Sequence, residues 1–96
     1  MTEKLYYADS HLFAFEASVL SCREGKGGFE IVLDRTAFFP EGGGQSADTG
    51  RIGEARVLDV HERDGEIRHL CDRALAQGRY DCEIDREKRL RRMRAA

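Results

Sequence analysis

Over residues 12–22 the chain alternates, with Phe13, Phe15, Ala17 and Val19 on one side and Ala14, Glu16, Ser18 and Leu20 on the other. A period of two is that of a β-strand with one buried face. Arg23, Glu24, Gly25, Lys26, Gly27 and Gly28 form a turn by composition, and residues 29–33 return as the partner strand of an antiparallel hairpin. Arg63-Asp64-Gly65-Glu66 is the strongest hairpin signal, because Asp-Gly readily takes the positive φ angles of a two-residue turn. It joins an extended segment over 55–61, where Val57 marks one side and Leu58 and Val60 indicate burial on both faces, to a strand over 67–71. Asp48-Thr49-Gly50 reads as a tight turn before Arg51-Ile52, and Gln77-Gly78 as another. After it Tyr80, Cys82 and Ile84 alternate with Arg79, Asp81 and Glu83, while near the start Leu5-Tyr6-Tyr7 reads as a short entry strand.

At Asp85 the period changes. Asp85 is a good N-cap, Glu87 lies in the first turn where the helix dipole favours it, and strong helix formers follow, with Leu90 and Met93 three apart. A helix is predicted from about Arg86 onward. Six or so short strands with no helix between them imply an all-β chain. The architecture predicted is a small antiparallel β-barrel over residues 1–84 followed by a basic C-terminal helix over 85–96. The helix has no capping glycine or proline before the sequence stops at Ala96, the pattern of a truncated gene or an artificial boundary. An exposed Leu90/Met93 stripe would offer a route to a symmetric homodimer through this helix.

Composition narrows the class of function. With 96 residues the chain holds one domain, and 41% hydrophobic against 35% charged residues separates it from disordered sequences. The charge is uneven: six basic residues and two acidic ones give residues 85–96 a charge of +4, so the total of −2 leaves −6 on the first 84. An acidic body argues against nonspecific nucleic-acid binding by the whole surface and leaves the tail as the source of phosphate contacts. Arg89, Arg91, Arg92 and Arg94 are the candidates, against the plainer reading of a solvated helix face. No apolar run suits a membrane span and Met1-Thr2-Glu3-Lys4 opens no signal peptide, so the cytoplasm is the expected compartment.

The most constrained stretch is Asp34-Arg35-Thr36-Ala37-Phe38-Phe39-Pro40-Glu41-Gly42-Gly43-Gly44-Gln45. Its aromatic pair and the chain's only proline end a strand, and three glycines follow at a high cost in backbone entropy. Two readings stand: a wide turn, or a loop whose backbone a ligand approaches closely. The string fits neither the P-loop nor the dinucleotide-binding glycine pattern. Thr36, Gly42, Gly43, Gly44 and Gln45 are the candidate substrate contacts. Elsewhere, Cys22, Cys71 and Cys82 are too few and too far apart for a disulfide framework or a zinc ribbon. His69 and Cys71 share a strand face with Cys82 close by, which fits either a fortuitous metal site or, more simply, small buried thiols beside a histidine. Ser10, Ser18, Ser21 and Ser46 have no surrounding motif that would activate a nucleophile.

Taken together, DRTAFFPEGGGQSADTG, RVLDV, DGEIRH and CEIDREKRLRRMR, in that order, resemble the N-terminal barrel of the alanyl-tRNA editing proteins, the freestanding AlaX-type hydrolases and the matching editing region of alanyl-tRNA synthetase. The resemblance runs from Leu12 to Arg94. It implies a barrel like domain 2 of translation elongation factors, a part in removing serine or glycine from mischarged tRNA-Ala, and the tRNA-Ala acceptor end as partner. It further implies that Thr36 could hydrogen-bond the hydroxyl of a seryl group beside the glycine loop. In that family a His-x-x-x-His segment and a later Cys-x-x-x-His hold zinc, in an editing domain beyond the basic helix; neither segment is present here. The chain by itself is therefore expected to be catalytically incomplete and to hold no metal, with zinc belonging to the complete protein. The alternative is a non-catalytic module that binds tRNA or a protein.

Overall fold

In the computed structural model, which describes residues 2–9, 11–42 and 46–95 (the last four as backbone only), the alternating segment becomes the longest strand, β2 (Ala14–Gly25). Before it lie β1 (Glu3–Lys4) and a 3₁₀ turn (Leu5–Tyr7); after it come β3 (Gly28–Leu33), β4 (Arg35–Thr36), β5 (Gly50–Ile52), β6 (Ala55–Arg63), β7 (Glu66–Cys71), β8 (Gly78–Ile84) and helix α1 (Arg86–Ala95). Six strands pair antiparallel in the order β2, β3, β7, β6, β5, β8, and β8 returns to β2, so the ladder closes into a barrel. β1 and β4 form a separate parallel pair.

Closure rests on β2. Its first half, from Ala14 to Val19, pairs with β8, and its second half, from Val19 to Gly25, pairs with β3. Between the halves Leu20 is an extra residue in the register with β3, a bulge that bends the strand and leaves the leucine exposed. β6 does the same at Leu58: Val57 pairs with Cys71 but Asp59 already pairs with Leu70. The bulge resets the parity, so Val57 and Val60 both face inward and Leu58 faces out. This corrects the expectation that Leu58 is buried. A period-two reading cannot see an inserted residue that flips the side facing the core.

Three further expectations shift. Leu5-Tyr6-Tyr7 is a 3₁₀ turn, with Ala8 N–H donating to the Leu5 carbonyl at 3.0 Å, and the entry strand lies two residues earlier. The six-residue turn over 23–28 contracts to Lys26 and Gly27, because the ladder runs on to Gly25 opposite Gly28 and Gly27 supplies a φ of 89°. Asp48-Thr49-Gly50 is no isolated turn: Gly50 already lies in β5, and Asp48 is buried in contacts described below. The Asp64-Gly65 hairpin forms as expected, with φ of 54° and 80°.

The interior is filled by Val19, Ile31, Leu33, Phe38, Ile52, Val57, Val60, Ile67 and Ile84, all buried. Gly50 marks how closely β5 and β8 approach, since a Cβ there would lie 2.0 Å from the Glu83 carbonyl oxygen and 2.9 Å from the Ile84 Cα. Gly50→Ala is expected to cost at least about 2 kcal/mol, by prising apart the β5–β8 rungs. Thermal unfolding checks it, a Tm within roughly 2 °C of the parent being the contrary result.

α1 begins at Arg86, as the change of period predicts. Asp85 Oδ2 accepts from the Thr49 hydroxyl at 2.5 Å and from Arg56 Nη2 at 3.0 Å, which ties the start of the helix to β5 and β6. The Arg86 guanidinium lies 4.9 Å from the centre of the Phe13 ring. Leu90 is half-buried rather than fully exposed, and the side chain of Met93 lies outside the described residues, so the expected open stripe on the helix is not observed at Leu90.

Candidate functional site

Thr36 ends β4 with its side chain directed into the barrel. Its hydroxyl donates to His69 Nε2 at 2.8 Å and accepts from the Phe38 N–H at 3.1 Å. The partner assignment follows from the other ring nitrogen: His69 Nδ1 lies 2.9 Å from the Ile31 carbonyl, which can only accept, so Nδ1 carries the proton and Nε2 is bare. Both side chains are 0% exposed. Burial pushes the His69 pKa down to about 4, the nearby His61 acts in the same direction, and the bond to the Ile31 carbonyl opposes them. The expectation that Thr36 offers its hydroxyl to a ligand is thereby corrected. That hydroxyl is engaged twice inside the core, where it fixes the exit of the chain toward the glycine segment.

Past Thr36 the two phenylalanines part. Phe38 is fully buried, edge-on to Phe15 at 5.7 Å and to His69 at 5.4 Å. Phe39 turns outward, its ring 4.7 Å from that of Tyr6, which in turn lies 4.8 Å from exposed Tyr7. The Tyr6 hydroxyl is buried with no hydrogen-bond partner among the described residues, and burial pushes its pKa up to about 12. Glu41 N–H donates to the Val60 carbonyl at 2.9 Å, holding this arm against the end of the barrel. Gly42 is exposed, and a Cβ there would meet nothing within 4 Å. No close approach by a described residue explains this glycine. Gly43, Gly44 and Gln45 lie outside the described residues.

The return of the segment is fixed by Asp48. Its N–H donates to the Phe39 carbonyl at 3.0 Å, and its Oδ2 accepts from the Phe39 N–H at 2.8 Å. Arg89 of α1 closes the same carboxylate: Nε lies 3.1 Å from Oδ1 and 3.0 Å from Oδ2, Nη2 also bonds Oδ2, and Nη2 donates to the Ala37 carbonyl at 2.7 Å. Asp48 and Arg89 are each 1% exposed. Arg89 as a phosphate contact is therefore corrected, because its guanidinium is inside the protein and forked onto a carboxylate. Arg91 is exposed, within 3.2 Å of Glu87 one turn back. The side chains of Arg92 and Arg94 lie outside the described residues. Sequence reasoning missed Asp48 and His69 as determinants here, and no local signal marks them, since their partners lie 41 and 33 residues away.

The group at His69 does not fit a metal. Both ring nitrogens are engaged, the Cys71 thiol points to the His69 carbonyl at 3.7 Å, and the Cys82 thiol to the Tyr80 carbonyl at 3.8 Å. Burial, with Asp72 and Asp81 adding to it, pushes the two thiols up to about 12, far from the thiolate a metal requires. Among the described residues no three His, Cys, Asp or Glu side chains converge as ligands.

Residues 2–86 match the family of class II (A) tRNA synthetases. The alanine–tRNA ligase of Halorubrum lacusprofundi is 44% identical over 94% of this chain, which is 10% of that protein. That of Ignicoccus hospitalis is 40% identical over 97% of the chain and again 10% of the relative. The alanyl-tRNA editing protein AlaX-L of Pyrococcus horikoshii is 45% identical over 73% of the chain and 18% of its own length. The chain thus spans a tenth to a fifth of these curated relatives.

Proposed function

Because the chain belongs to the family of class II (A) tRNA synthetases, we propose that it is the barrel of an alanyl-tRNA editing hydrolase, akin to domain 2 of translation elongation factors, that receives the aminoacyl end of mischarged tRNA-Ala in the cytoplasm. One observation carries this reading. The same segment recurs in alanine–tRNA ligases and in a protein named for alanyl-tRNA editing, so it belongs to what those proteins have in common, and the second name supplies the activity proposed.

The reaction is hydrolysis of the ester between the amino acid and the terminal ribose: water adds to the ester carbon, and the ribose oxygen leaves with a proton. The part of this chain is to bind and orient. The arm from Phe39 to Gly42 would lie against the aminoacyl end, with open Gly42 allowing close approach, and exposed Arg91 would meet a phosphate. Zinc would belong to the complete protein; the described residues do not fit it. No helix among the described residues is long and apolar enough to cross a membrane.

The test uses an acceptor-stem RNA of tRNA-Ala and the chain itself. Salt-dependent binding is expected, weakened in Arg91→Ala with the salt slope reduced by about 1. Gly42→Val should weaken binding several-fold with Tm unchanged, since its side chain meets none of the described residues. The chain alone should leave seryl-tRNA-Ala intact. Absence of RNA binding would favour the alternative, a protein-binding module, and turnover by the chain alone would overturn the division of labour proposed.

A further inference from the structure

The arm and the helix meet at a buried ion pair. Asp48 braces the base of the arm through both its backbone and its carboxylate, and Arg89 reaches from α1 to that carboxylate and to the Ala37 carbonyl. Two opposite charges 1% exposed cannot exchange partners with water, and a guanidinium forked onto a carboxylate fixes distance and plane together. A shift of α1 must therefore move Asp48 or break the buried fork. Phe39 would follow, being bonded to Asp48 at both N–H and carbonyl, and with it the aromatic surface of Tyr6 and Tyr7.

We propose that Arg89 and Asp48 are positioning residues that make α1 and the Phe39–Gly42 arm a single unit, so that displacement of the helix is transmitted to the arm. The coupling stands independently of which ligand the arm receives. It also runs both ways: a molecule that holds the arm steadies the helix, and whatever holds the helix presets the arm.

Amide hydrogen exchange on the chain separates this from a purely structural role. Arg89→Lys keeps the charge but loses the fork. The N–H groups of Phe39, Glu41 and Asp48, together with those of α1, should exchange at least about tenfold faster, while the ladder amides of Ile31, Val57 and Ile67 change less than about threefold. Should Arg89→Lys fail to fold, the pair Asp48→Asn with Arg89→Met removes both charges yet keeps an acceptor for the Phe39 N–H, and the same pattern is expected. Acceleration of all amides in step would show that the pair only adds global stability, and parent-like protection of the arm in either folded variant would show that it does not position the arm. Both results overturn the proposal, and neither bears on whether the chain binds RNA.

Discussion

Arg89→Ala is expected to destabilise the chain by about 3–5 kcal/mol, because it strands the Asp48 carboxylate in a site from which water is excluded. Against a total of about 5–15 kcal/mol for a domain this is a large fraction, and the fall in Tm should be roughly a dozen degrees or more. The interaction is distinguished from simple loss of packing by a second substitution. Adding Asp48→Asn to Arg89→Ala removes the unpaired charge while the Asn oxygen still accepts from the Phe39 N–H, so the double variant should be more stable than the single one. Chemical denaturation of all three proteins decides the matter. A loss under about 1 kcal/mol for Arg89→Ala, or a double variant weaker than the single, would mean that the carboxylate reaches solvent or another cation.

Acid is expected to weaken the barrel through His69. The folded state holds this imidazole neutral with a pKa near 4, whereas the unfolded chain has the ordinary value of 6.5. Between those values the unfolded state binds the extra proton, so stability is fully present above pH 6.5, declines as pH falls toward 4, and flattens below it, with a loss of about 3 kcal/mol from this group. Protonation also upsets the local bonds. An Nε2–H would face the Thr36 oxygen, and the threonine hydroxyl would lose the acceptor it now uses. In His69→Gln the slope between pH 6.5 and 4 should shrink, although the variant is weaker at neutral pH. Thr36→Val should cost about 2–4 kcal/mol at pH 7, leaving His69 Nε2 and the Phe38 N–H without their partner. A stability profile of unchanged slope in His69→Gln would assign the acid sensitivity to carboxylates instead.

What the sequence discloses follows from how local each determinant is. The inward row of Phe15, Ala17 and Val19, the Asp64-Gly65 turn and the helix start at Arg86 are set within a few residues, and each is found where the pattern places it. Leu58 misleads because a bulge is an inserted residue, visible only against the partner strand. Arg89 misleads more instructively. It stands in a run of arginines whose composition speaks of solvent, and only the arrival of Asp48 from the far side of the glycine segment turns it inward. Thr36 was legible as a key position and misread in its role: the residue is central, yet its hydroxyl serves His69 rather than an open pocket.

The seam between β2 and β8 has a bearing on how such a chain comes off the ribosome. Ala14 pairs with Glu83 and Val19 with Gly78, so the contacts that shut the ring join the first and last strands of the barrel and carry a high contact order. A nascent chain still lacking Gly78–Ile84 has β2 and β5 each missing a neighbour, and their unpaired N–H and carbonyl groups are free to capture a strand from another molecule. Completion of β8 thus ends the barrel's period of greatest exposure to aggregation.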